Sequence, residues 1–392
     1  MITFLLIWLA AQAAAVAIVW TFTAGLGGRE RLAATPRVAV VVAVKGHDHE
    51  FDGFLTGLFA QDYPAYRVIF TVEAASDAAV PAIEAWRARR ADRVSLVVAG
   101  LGHDEGQKST NLRAAAASLT AADEIIVLAD ADIWPEPDWL TRLIAPLVRG
   151  EADVVSGFSW LVVKDRRLST FLLASMAASV ATLPRYSFFN ACWGGSTALT
   201  RERFAALGFP DAWRGTLSDD LQLTNKVQAM GLTIGAPREI LLRTPLLTKG
   251  LADITAGARR WYMLVRVHMP AAYAITVAAM TFVAVGWIIA LVGALVGNND
   301  AENILVAALA LSVFRSAGRA VLVARLWGRS GIAENRTFLL ADPVVAPLAA
   351  FANAIFGWSA LTMRQTTWAG ITYEMRGPQK VTILARGSSP VV

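Results

Sequence analysis

The chain lacks most of the residue patterns by which common enzyme classes are recognised. It has one cysteine, Cys192, which excludes a disulfide within the chain and is compatible with a reducing compartment. Its four histidines are scattered, and no Gly-x-Ser-x-Gly element, Walker loop or Cys-x-x-Cys pair occurs. These absences remove the support for a hydrolase, a nucleoside triphosphatase or a zinc protein.

Charged residues are also scarce, at 17% of a chain of 392 residues that is 55% hydrophobic. Such a balance is unusual for a soluble protein. The stretch from Ile2 to Ala24 contains no charge and is long enough to cross the hydrocarbon core of a bilayer. Because no Lys or Arg precedes it, we interpret residues 1–25 as a retained transmembrane anchor rather than a cleaved signal peptide.

Comparably long apolar runs are absent from the middle of the chain and then return. They cover residues 271–296, 304–323 and 338–361. These runs predict about three C-terminal membrane segments within residues 271–362. The last run leaves two alternatives, because Asp342 and Pro343 lie near its start and a full crossing would place the basic residues from Arg364 onward outside. A re-entrant or in-plane segment gives three spans, and a full crossing gives four.

Basic residues near the membrane segments indicate the orientation of the chain. Four of them follow the first apolar run: Arg29, Arg31, Arg37 and Lys45. Residues 298–303, between two later runs, contain none. The positive-inside rule therefore places the middle of the chain, together with a basic tail at 363–392, in the cytosol. The net charge of +5 is accounted for by basic residues that would attract anionic lipid, so nucleic acid is not an expected partner.

The middle of the chain has the pattern of an α/β domain. Short β-branched runs at 38–44, 66–72, 94–99 and 125–129 alternate with helical stretches at 51–60, 78–90 and 111–119. This alternation predicts parallel strands joined by helices, in a catalytic domain spanning 36–250. The uncharged stretch 168–183 is either a buried core helix or an interfacial helix. Residues 251–270, which mix arginine with aromatic residues, suit a helix at the membrane surface.

Two carboxylates, Asp130 and Asp132, directly follow the predicted strand at 125–129. Ligands of open α/β sheets bind at the carboxyl ends of the strands, where closely spaced carboxylates suit a divalent cation that bridges to phosphates. Asp132 is therefore the candidate metal ligand. Asp130 is the candidate for contact with the metal or with a ribose.

Two further clusters are candidates for chemistry, each with a plainer alternative. Asp219 and Asp220 begin a predicted helix, where they either interact with the helix dipole or deprotonate an acceptor hydroxyl. Arg260 and Trp261 precede the second apolar run, where they either bind a diphosphate or simply place positive charge beside a membrane helix.

The order of these elements along the chain is more specific than any one of them. Four other segments accompany the acids: Lys45-Gly46-His47-Asp48, Gln61-Asp62-Tyr63-Pro64, Lys108-Ser109-Thr110-Asn111-Leu112 and Trp193-Gly194-Gly195-Ser196. The whole set resembles the membrane-bound family 2 glycosyltransferases. It is most similar to the ceramide glucosyltransferase group, with which the bacterial hopanoid-associated enzymes are grouped, and the resemblance covers nearly the whole chain.

The resemblance implies a GT-A fold, which is a Rossmann-like α/β fold for nucleotide-diphospho-sugar transfer. It further implies a UDP-sugar donor, Mg2+ or Mn2+, inversion at the anomeric carbon, a lipid acceptor and an enzyme of the bacterial inner membrane. Asp220 then corresponds to the catalytic base, with Asp219 as its acidic neighbour, and Arg260 and Trp261 to the diphosphate-binding element. The residues expected beside the nucleotide are Lys45, Glu73 or Asp77, Lys108, Asn111 and Asp130.

The sequence departs from the family pattern at three places. Gly257 stands where the family has Gln or Arg, Ala74 stands where the ceramide enzymes have Asp, and Leu183 replaces the His of a His-Pro-Arg triplet in the animal enzymes. The last departure weakens the assignment of ceramide as the acceptor. Ceramide-, hopanoid- and diacylglycerol-type lipids all remain candidates.

The sequence thus favours an inverting enzyme that transfers one sugar from a UDP-sugar to a lipid hydroxyl at the cytosolic leaflet. One alternative is a polysaccharide synthase, although few spans follow the catalytic region. A second is a catalytically inactive, lipid-binding membrane protein. The length of the product distinguishes the first two, and the absence of any product identifies the third.

Overall fold

The computed structural model describes residues 1–28, 30, 32–48, 50–187, 190–247 and 250–387. Arg29 and Arg31, which contributed to the predicted orientation, lie outside the described residues.

Strands and helices alternate along most of the chain. The strands are β1 Val38–Ala43, β2 Tyr66–Val72, β3 Val94–Val98, β4 Ile125–Ala129, β5 Val154–Ser156, β6 Phe158–Val163, β7 Ser196–Thr200, β8 Ile234–Gly235, β9 Leu241–Leu246, β10 Gln365–Trp368, β11 Ile371–Gly377 and β12 Lys380–Arg386. The helices are α1 Ile2–Ala24, α2 Phe51–Phe59, α3 Val80–Arg89, α4 Gln107–Ala116, α5 Trp139–Val148, α6 Leu168–Ala181, α7 Arg201–Ala206, α8 Asp219–Ala229, α9 Leu251–His268, α10 Pro270–Leu295 and α11 Asn299–Ser359.

A seven-stranded mixed sheet forms the centre of the α/β domain, in the order β3-β2-β1-β4-β7-β5-β8. Strands β3, β2, β1 and β4 are parallel, whereas β7 runs antiparallel to β4. Alternate residues of β1 face two different cores: Val40 packs with the apolar side of α2, and Val41 packs with Leu112 of α4. Burial on both faces explains why these strands are continuous apolar runs. The architecture confirms the expected GT-A-type α/β domain with membrane helices on both sides of it in the sequence.

Helix α4 differs from its predicted bounds, because it begins at Gln107 rather than at residue 111. Gly106 precedes it in an extended conformation, with φ −62° and ψ 140°, which is the backbone geometry of an N-cap. The earlier start has a consequence for the site, since it puts Lys108 in the first turn of the helix.

Three helices in the described part of the chain are long and apolar enough to cross a membrane: α1, α10 and α11. Helix α11 is kinked at Gly328, where φ is 64° and ψ is −151°, so that it consists of a first limb, 299–327, and a second limb, 329–359. The indole of Trp8 in α1 donates to the carbonyl of Val283 in α10 at 3.1 Å, and Arg325 of the first limb donates to the carbonyl of Thr23 at 2.7 Å. These contacts join the N-terminal anchor to both later helices.

The second limb of α11 contacts the α/β domain near its start and α9 at its end. Near its start, Glu334 pairs with Arg243 of β9 at 3.2 Å, and Asn335 accepts a hydrogen bond from Trp160 of β6 at 3.0 Å. At its end, the carbonyl of Ser359 accepts from Arg259 of α9 at 3.3 Å. Because a full crossing would leave the two ends on opposite faces of the bilayer, these contacts favour the in-plane alternative.

Helix α6 is a core helix over most of its length. It packs between β6 and the second limb of α11, and Phe171, Leu172 and Met176 are buried there. The burial of these side chains favours the core-helix alternative for this segment. Both ends of α6 open to the surface, at Leu168 and at Val180.

A buried polar network fastens α6 to both limbs of α11. Arg319 Nη1 lies 2.7 Å from each carboxylate oxygen of Asp342, and both side chains are 0% exposed. Ser175 of α6 donates to Asp342 at 2.8 Å, and Ser179 accepts from Arg319 Nη2 at 2.8 Å. Arg319 thus points into the bundle, where it pairs with a carboxylate as charged residues within membrane helices usually do.

The last part of the chain is a folded sheet rather than a simple basic tail. Strands β10, β11 and β12 form a three-stranded antiparallel sheet. Its buried side chains Ile371, Tyr373 and Met375 alternate with more exposed ones along β11, and they pack against Leu217 and Met263 of the α/β domain and α9. Residues 365–386 of the predicted basic tail at 363–392 therefore form a folded sheet.

The Arg319–Asp342 pair generates a prediction about stability. Replacing Asp342 with Ala leaves a buried guanidinium without its partner, which costs about 3–5 kcal/mol for pairs of this kind. We expect Asp342→Ala to lower the apparent midpoint of thermal unfolding in detergent clearly below that of the unmodified protein. The combined change Arg319→Met and Asp342→Leu removes both charges, and we expect it to recover most of the loss. An unchanged midpoint for Asp342→Ala would contradict a stabilising role for the pair.

Candidate active site

The sheet topology brings the predicted site residues to one edge. Because β1, β2 and β4 are parallel, the residues that follow them, among them Lys45, Glu73 and Asp130, leave the sheet on the same side. Ala129 pairs with Ser196 in the antiparallel β4–β7 ladder, so the glycine loop that precedes β7 lies beside Asp130. This edge is where open α/β sheets bind their ligands.

Lys108 joins the two acidic motifs. Its ammonium lies 2.7 Å from Asp130 Oδ1 and 3.2 Å from Asp219 Oδ1. Burial by itself would lower the pKa of Lys108, but the negative charges of Asp130, Asp219 and Asp220 raise it above its ordinary value. Burial raises the pKa of Asp219 to about 6, while Lys108 acts in the opposite direction. Lys108 therefore stays charged between two carboxylates that are distant from each other in the sequence.

Asp132 lies beside this cluster and still reaches solvent. Its enclosure in the cleft and the nearby charge of Asp130 raise its pKa, and Asp48 adds to the effect while Lys108 opposes it. The part of this rise in pKa that comes from the like charge of Asp130 would be relieved by a divalent cation. Carboxylate oxygens are also the ligands that Mg2+ and Mn2+ prefer.

The fit of a metal rests on Asp130 and Asp132 alone. The described residues contain no group of three or more His, Cys, Asp and Glu that could hold a metal ion. Two protein carboxylates with the remaining positions taken by phosphate and water are a usual arrangement for Mg2+. The two aspartates therefore fit a metal that is bound together with a phosphorylated substrate.

Asp220 is oriented by three donors. Its Oδ1 accepts from the Ser218 hydroxyl at 2.5 Å and from the Leu221 N–H at 2.7 Å, and its Oδ2 accepts from the Gly194 N–H at 3.2 Å. The residue is half-buried and lies in the first turn of α8, where the helix dipole favours a negative charge. Asp220 is thus a fixed carboxylate that faces the glycine loop.

Gly194 permits the close approach of that loop to the ion cluster. A Cβ at this position would lie 2.6 Å from Lys108 Nζ and 3.2 Å from Asp219 Oδ2. The latter oxygen is buried and has no hydrogen-bond partner among the described residues. Buried polar atoms are normally paired, so this oxygen is available to a bound molecule.

The loops that follow β1 and β2 distinguish Glu73 from Asp77, the two acids that the sequence left open. Glu73 pairs with Lys45 at 2.9 Å. Asp77 accepts from the backbone N–H of Gly46 at 3.0 Å and from that of Ala79 at 2.9 Å, so its oxygens hold a turn together. The geometry therefore favours Glu73 over Asp77 for contact with a nucleotide.

Asn111 lies one turn after Lys108 on α4. Its side chain is buried, accepts a hydrogen bond from Gln107 Nε2 at 2.9 Å and donates to the Thr71 carbonyl at 3.4 Å. Side chains three residues apart on a helix are neighbours. The Lys-x-x-Asn spacing therefore places one side chain in the cleft and uses the other to attach α4 to β2.

Arg260 and Trp261 have no described contact with the acids. The Arg260 guanidinium lies 5.0 Å from the ring centre of Trp368 in β10, and burial lowers its pKa to about 10. The Trp261 side chain is 44% exposed. The expected binding of diphosphate by these two residues stays a prediction.

Two features of the site were missed in the sequence. His268, at the end of α9, is buried and neither ring nitrogen has a hydrogen-bond partner within the described ranges. Burial lowers its pKa to about 4, and the charge of Asp220 opposes that shift. The second feature is Arg386 of β12, which lies 2.9 Å from Glu73. No local pattern marks either residue, because both reach the site through long-range packing.

Comparison with solved structures finds similar chains at low identity. The mannosyltransferase PcManGT from Pyrobaculum calidifontis, in complex with GDP-Man and Mn2+, matches 90% of this chain and 98% of its own at 19% identity and a TM-score of 0.48. TarS 1-349 from S. aureus, in complex with UDP-GlcNAc, matches 89% and 99% at 12% identity and a TM-score of 0.40. Glucosyl-3-phosphoglycerate synthase from Mycobacterium tuberculosis matches 64% and 83% at 16% identity and a TM-score of 0.38.

Comparison by sequence identifies the family. No curated protein matches the chain. The family model for glycosyl transferase family 21 matches residues 3–381, which is nearly the whole chain. That family includes the ceramide glucosyltransferases, so the resemblance to this group is confirmed at the level of the family, while the nearer likeness to hopanoid-associated enzymes stays a prediction. The chain belongs to glycosyl transferase family 21, and it is a glycosyltransferase.

Proposed function

We propose that this glycosyltransferase moves a single sugar, with inversion, from a UDP-sugar to a hydroxyl group of a membrane lipid of the ceramide, hopanoid or diacylglycerol type. The reaction takes place at the cytosolic leaflet of a bacterial inner membrane and uses Mg2+ or Mn2+. The observation that carries the proposal is the ion cluster in which Lys108 contacts both Asp130 and Asp219 beside the oriented carboxylate of Asp220.

The donor is held at the carboxyl ends of β1, β2 and β4. Lys45 and Glu73 lie on the side of the base and ribose, and Lys108 places a positive charge where the diphosphate enters the cleft. A metal held by Asp130 and Asp132 would neutralise the charge that develops on the departing diphosphate. The lysine contributes in the same direction, because a fixed positive charge in a partly buried site stabilises the leaving group.

The acceptor hydroxyl is activated by Asp220. Its carboxylate is fixed by Ser218, Leu221 and Gly194 and remains partly open to the cleft. A positioned carboxylate can accept the proton of a hydroxyl as the oxygen attacks the anomeric carbon. Asp219 lies deeper and pairs with Lys108, so it supports the electrostatics of the cleft rather than the proton transfer.

A lipid acceptor agrees with the apolar surface beside the site. Leu183 is 49% exposed and Tyr186 is 57% exposed on the segment that leads from α6 to the glycine loop. Leu251, which begins α9, is 60% exposed. Exposed apolar side chains next to membrane-spanning helices favour contact with the bilayer. A lipid hydroxyl would thus enter the cleft from the side at which Asp220 and Gly194 meet.

The proposal is tested by incubating membranes that contain the protein with radiolabelled UDP-sugars, with and without Mn2+ or Mg2+. Lipids are then extracted and separated by thin-layer chromatography. A single metal-dependent glycolipid supports the proposal and identifies the donor sugar. Label that appears only in a polymer indicates a polysaccharide synthase, and a complete lack of label with all donors contradicts the proposed activity.

Asp220→Asn is expected to reduce turnover by at least about 100-fold, because the amide cannot accept the hydroxyl proton. Binding of UDP in the presence of Mn2+ should change by less than about twofold, since the leaving-group side is untouched. Turnover is measured with the glycolipid assay and binding by calorimetry. Asp211→Asn is the matched control, because Asp211 is exposed and pairs with Arg214 rather than with a member of the ion cluster. Equal losses of binding and turnover would contradict the role of Asp220 as the base.

Asp132→Asn is expected to weaken the metal-dependent part of UDP binding, because a neutral amide is a poorer ligand for Mg2+ or Mn2+ than a carboxylate. The affinity for UDP is measured across a titration of Mn2+, and the variant should require a metal concentration at least about tenfold higher. Asp138→Asn serves as the control, because Asp138 pairs with Arg142 outside the ion cluster. A variant with the same metal requirement as the unmodified protein would exclude Asp132 as a ligand.

A further inference from the structure

The C-terminal sheet reaches the nucleotide side of the cleft through Arg386. This residue ends β12, and its Nη1 lies 2.9 Å from Glu73 Oε1. Its Nη2 donates to the Gly102 carbonyl at 2.6 Å and to Gln107 Oε1 at 3.1 Å. One guanidinium therefore contacts the residue after β2, the loop before α4 and the first residue of α4. Arginine is suited to such a contact, because its donors lie in a planar fork.

The same sheet also holds the start of α4 through Tyr373. The Tyr373 hydroxyl, which is buried, accepts a hydrogen bond from the Gln107 backbone N–H at 3.2 Å. The first N–H groups of a helix have no partner within the helix, so this contact satisfies one of them. Gln107 precedes Lys108 and hydrogen-bonds Asn111. The C-terminal sheet is thus coupled to the two residues of the Lys-x-x-Asn segment.

A third set of contacts lies on the side of the catalytic carboxylates. Gln379, in the turn between β11 and β12, donates to the carbonyls of Ala212 at 3.1 Å and Arg214 at 3.0 Å. Gly215 has a φ of +70°, and a Cβ there would lie 2.5 Å from the Gln379 carbonyl oxygen. Leu217, which comes shortly before Asp219, is packed within the apolar face of the sheet. The sheet therefore contacts both halves of the site.

Arg386 makes the net charge around Glu73 positive. Glu73 lies between two cations, because one of its oxygens pairs with Lys45 at 2.9 Å and the other with Arg386 at 2.9 Å. With Arg386 present, these three side chains carry a net charge of plus one, which favours an anionic nucleotide. Without it, Lys45 and Glu73 neutralise each other, and Glu73 is free to leave the orientation that the pair of cations imposes.

We infer that the C-terminal sheet is a component of the donor site, in which Arg386 is a positioning residue that sets Glu73 and the start of α4 for binding the nucleotide of the donor. The inference rests on the proposed function, since it assigns the Lys45–Glu73 side of the cleft to the nucleotide. It gives residues 365–386 a part in substrate recognition.

The test measures binding of UDP, with GDP as a second probe, to the full-length protein in detergent with Mn2+. We expect Arg386→Gln to raise the Kd for UDP about tenfold, because a charged interaction and two hydrogen bonds are lost. Arg386→Lys should give an intermediate Kd, since a lysine can pair with Glu73 but cannot hold Gly102 and Gln107 at the same time. Arg376→Gln is the matched control: Arg376 lies in the same sheet, is 69% exposed and pairs with Glu374.

Kinetics separate positioning from mere support of the fold. For Arg386→Gln we expect the KM for the donor to rise by the same factor as the Kd, with kcat and the KM for the acceptor unchanged. A variant that binds UDP like the unmodified protein would overturn the inference. A loss of kcat and of thermal stability with the donor KM unchanged would also overturn the inference, because that pattern indicates that Arg386 only stabilises the fold.

The outcomes also separate this inference from the proposed function. If the unmodified protein binds UDP or GDP but labels no lipid, lipid glycosylation fails and the effect of Arg386 is still decided by the Kd values. If the unmodified protein labels lipid while Arg386→Gln keeps its donor KM, the proposed function stands and the inference fails. Lack of binding to either nucleotide by the unmodified protein overturns the inference as well.

Discussion

The contact of Lys108 with Asp130 and Asp219 is the interaction on which the rest of the site depends. A buried carboxylate is tolerated only when it is paired, and here one ammonium pairs with carboxylates from two different parts of the α/β domain. The ion cluster therefore fixes the end of β4 relative to the start of α8. Gly194 allows the loop before β7 to approach this cluster, and its N–H in turn orients Asp220.

The membrane helices are held to the same domain by separate interactions. Arg319 and Asp342 join the two limbs of α11 to α6, whose C-terminal end leads to the glycine loop. Glu334 attaches the second limb to Arg243 of β9, and the Ser359 carbonyl at the end of the limb accepts from Arg259 of α9. Because Ser175 and Ser179 of α6 bond to the fully buried Arg319–Asp342 pair, the position of α6 is tied to the arrangement of the bundle.

The C-terminal sheet packs against the α/β domain and α9. Its residues Tyr373, Gln379 and Arg386 contact the start of α4, the loop before α8 and Glu73. The sheet is thus connected to Glu73, to the helix that carries Lys108 and to the loop that leads to Asp219. Its own order depends on the apolar side chains that alternate along β11, which pack against Leu217.

The sequence by itself determined the alternation of strands and helices, the four apolar runs and the placement of Asp130, Asp132 and Asp219 at element ends, because periodicity and turn chemistry are local. It also carried the order of motifs that identified the family. The period-2 pattern of 371–377 was present but short, and a tail was expected there. Only the tertiary structure decided that Lys108 joins two acidic motifs, that Glu73 rather than Asp77 faces Lys45, that the last two apolar runs form one kinked helix, and that Arg386 contacts Glu73. These contacts join residues far apart in the chain, and no local pattern specifies which distant side chains a fold brings together.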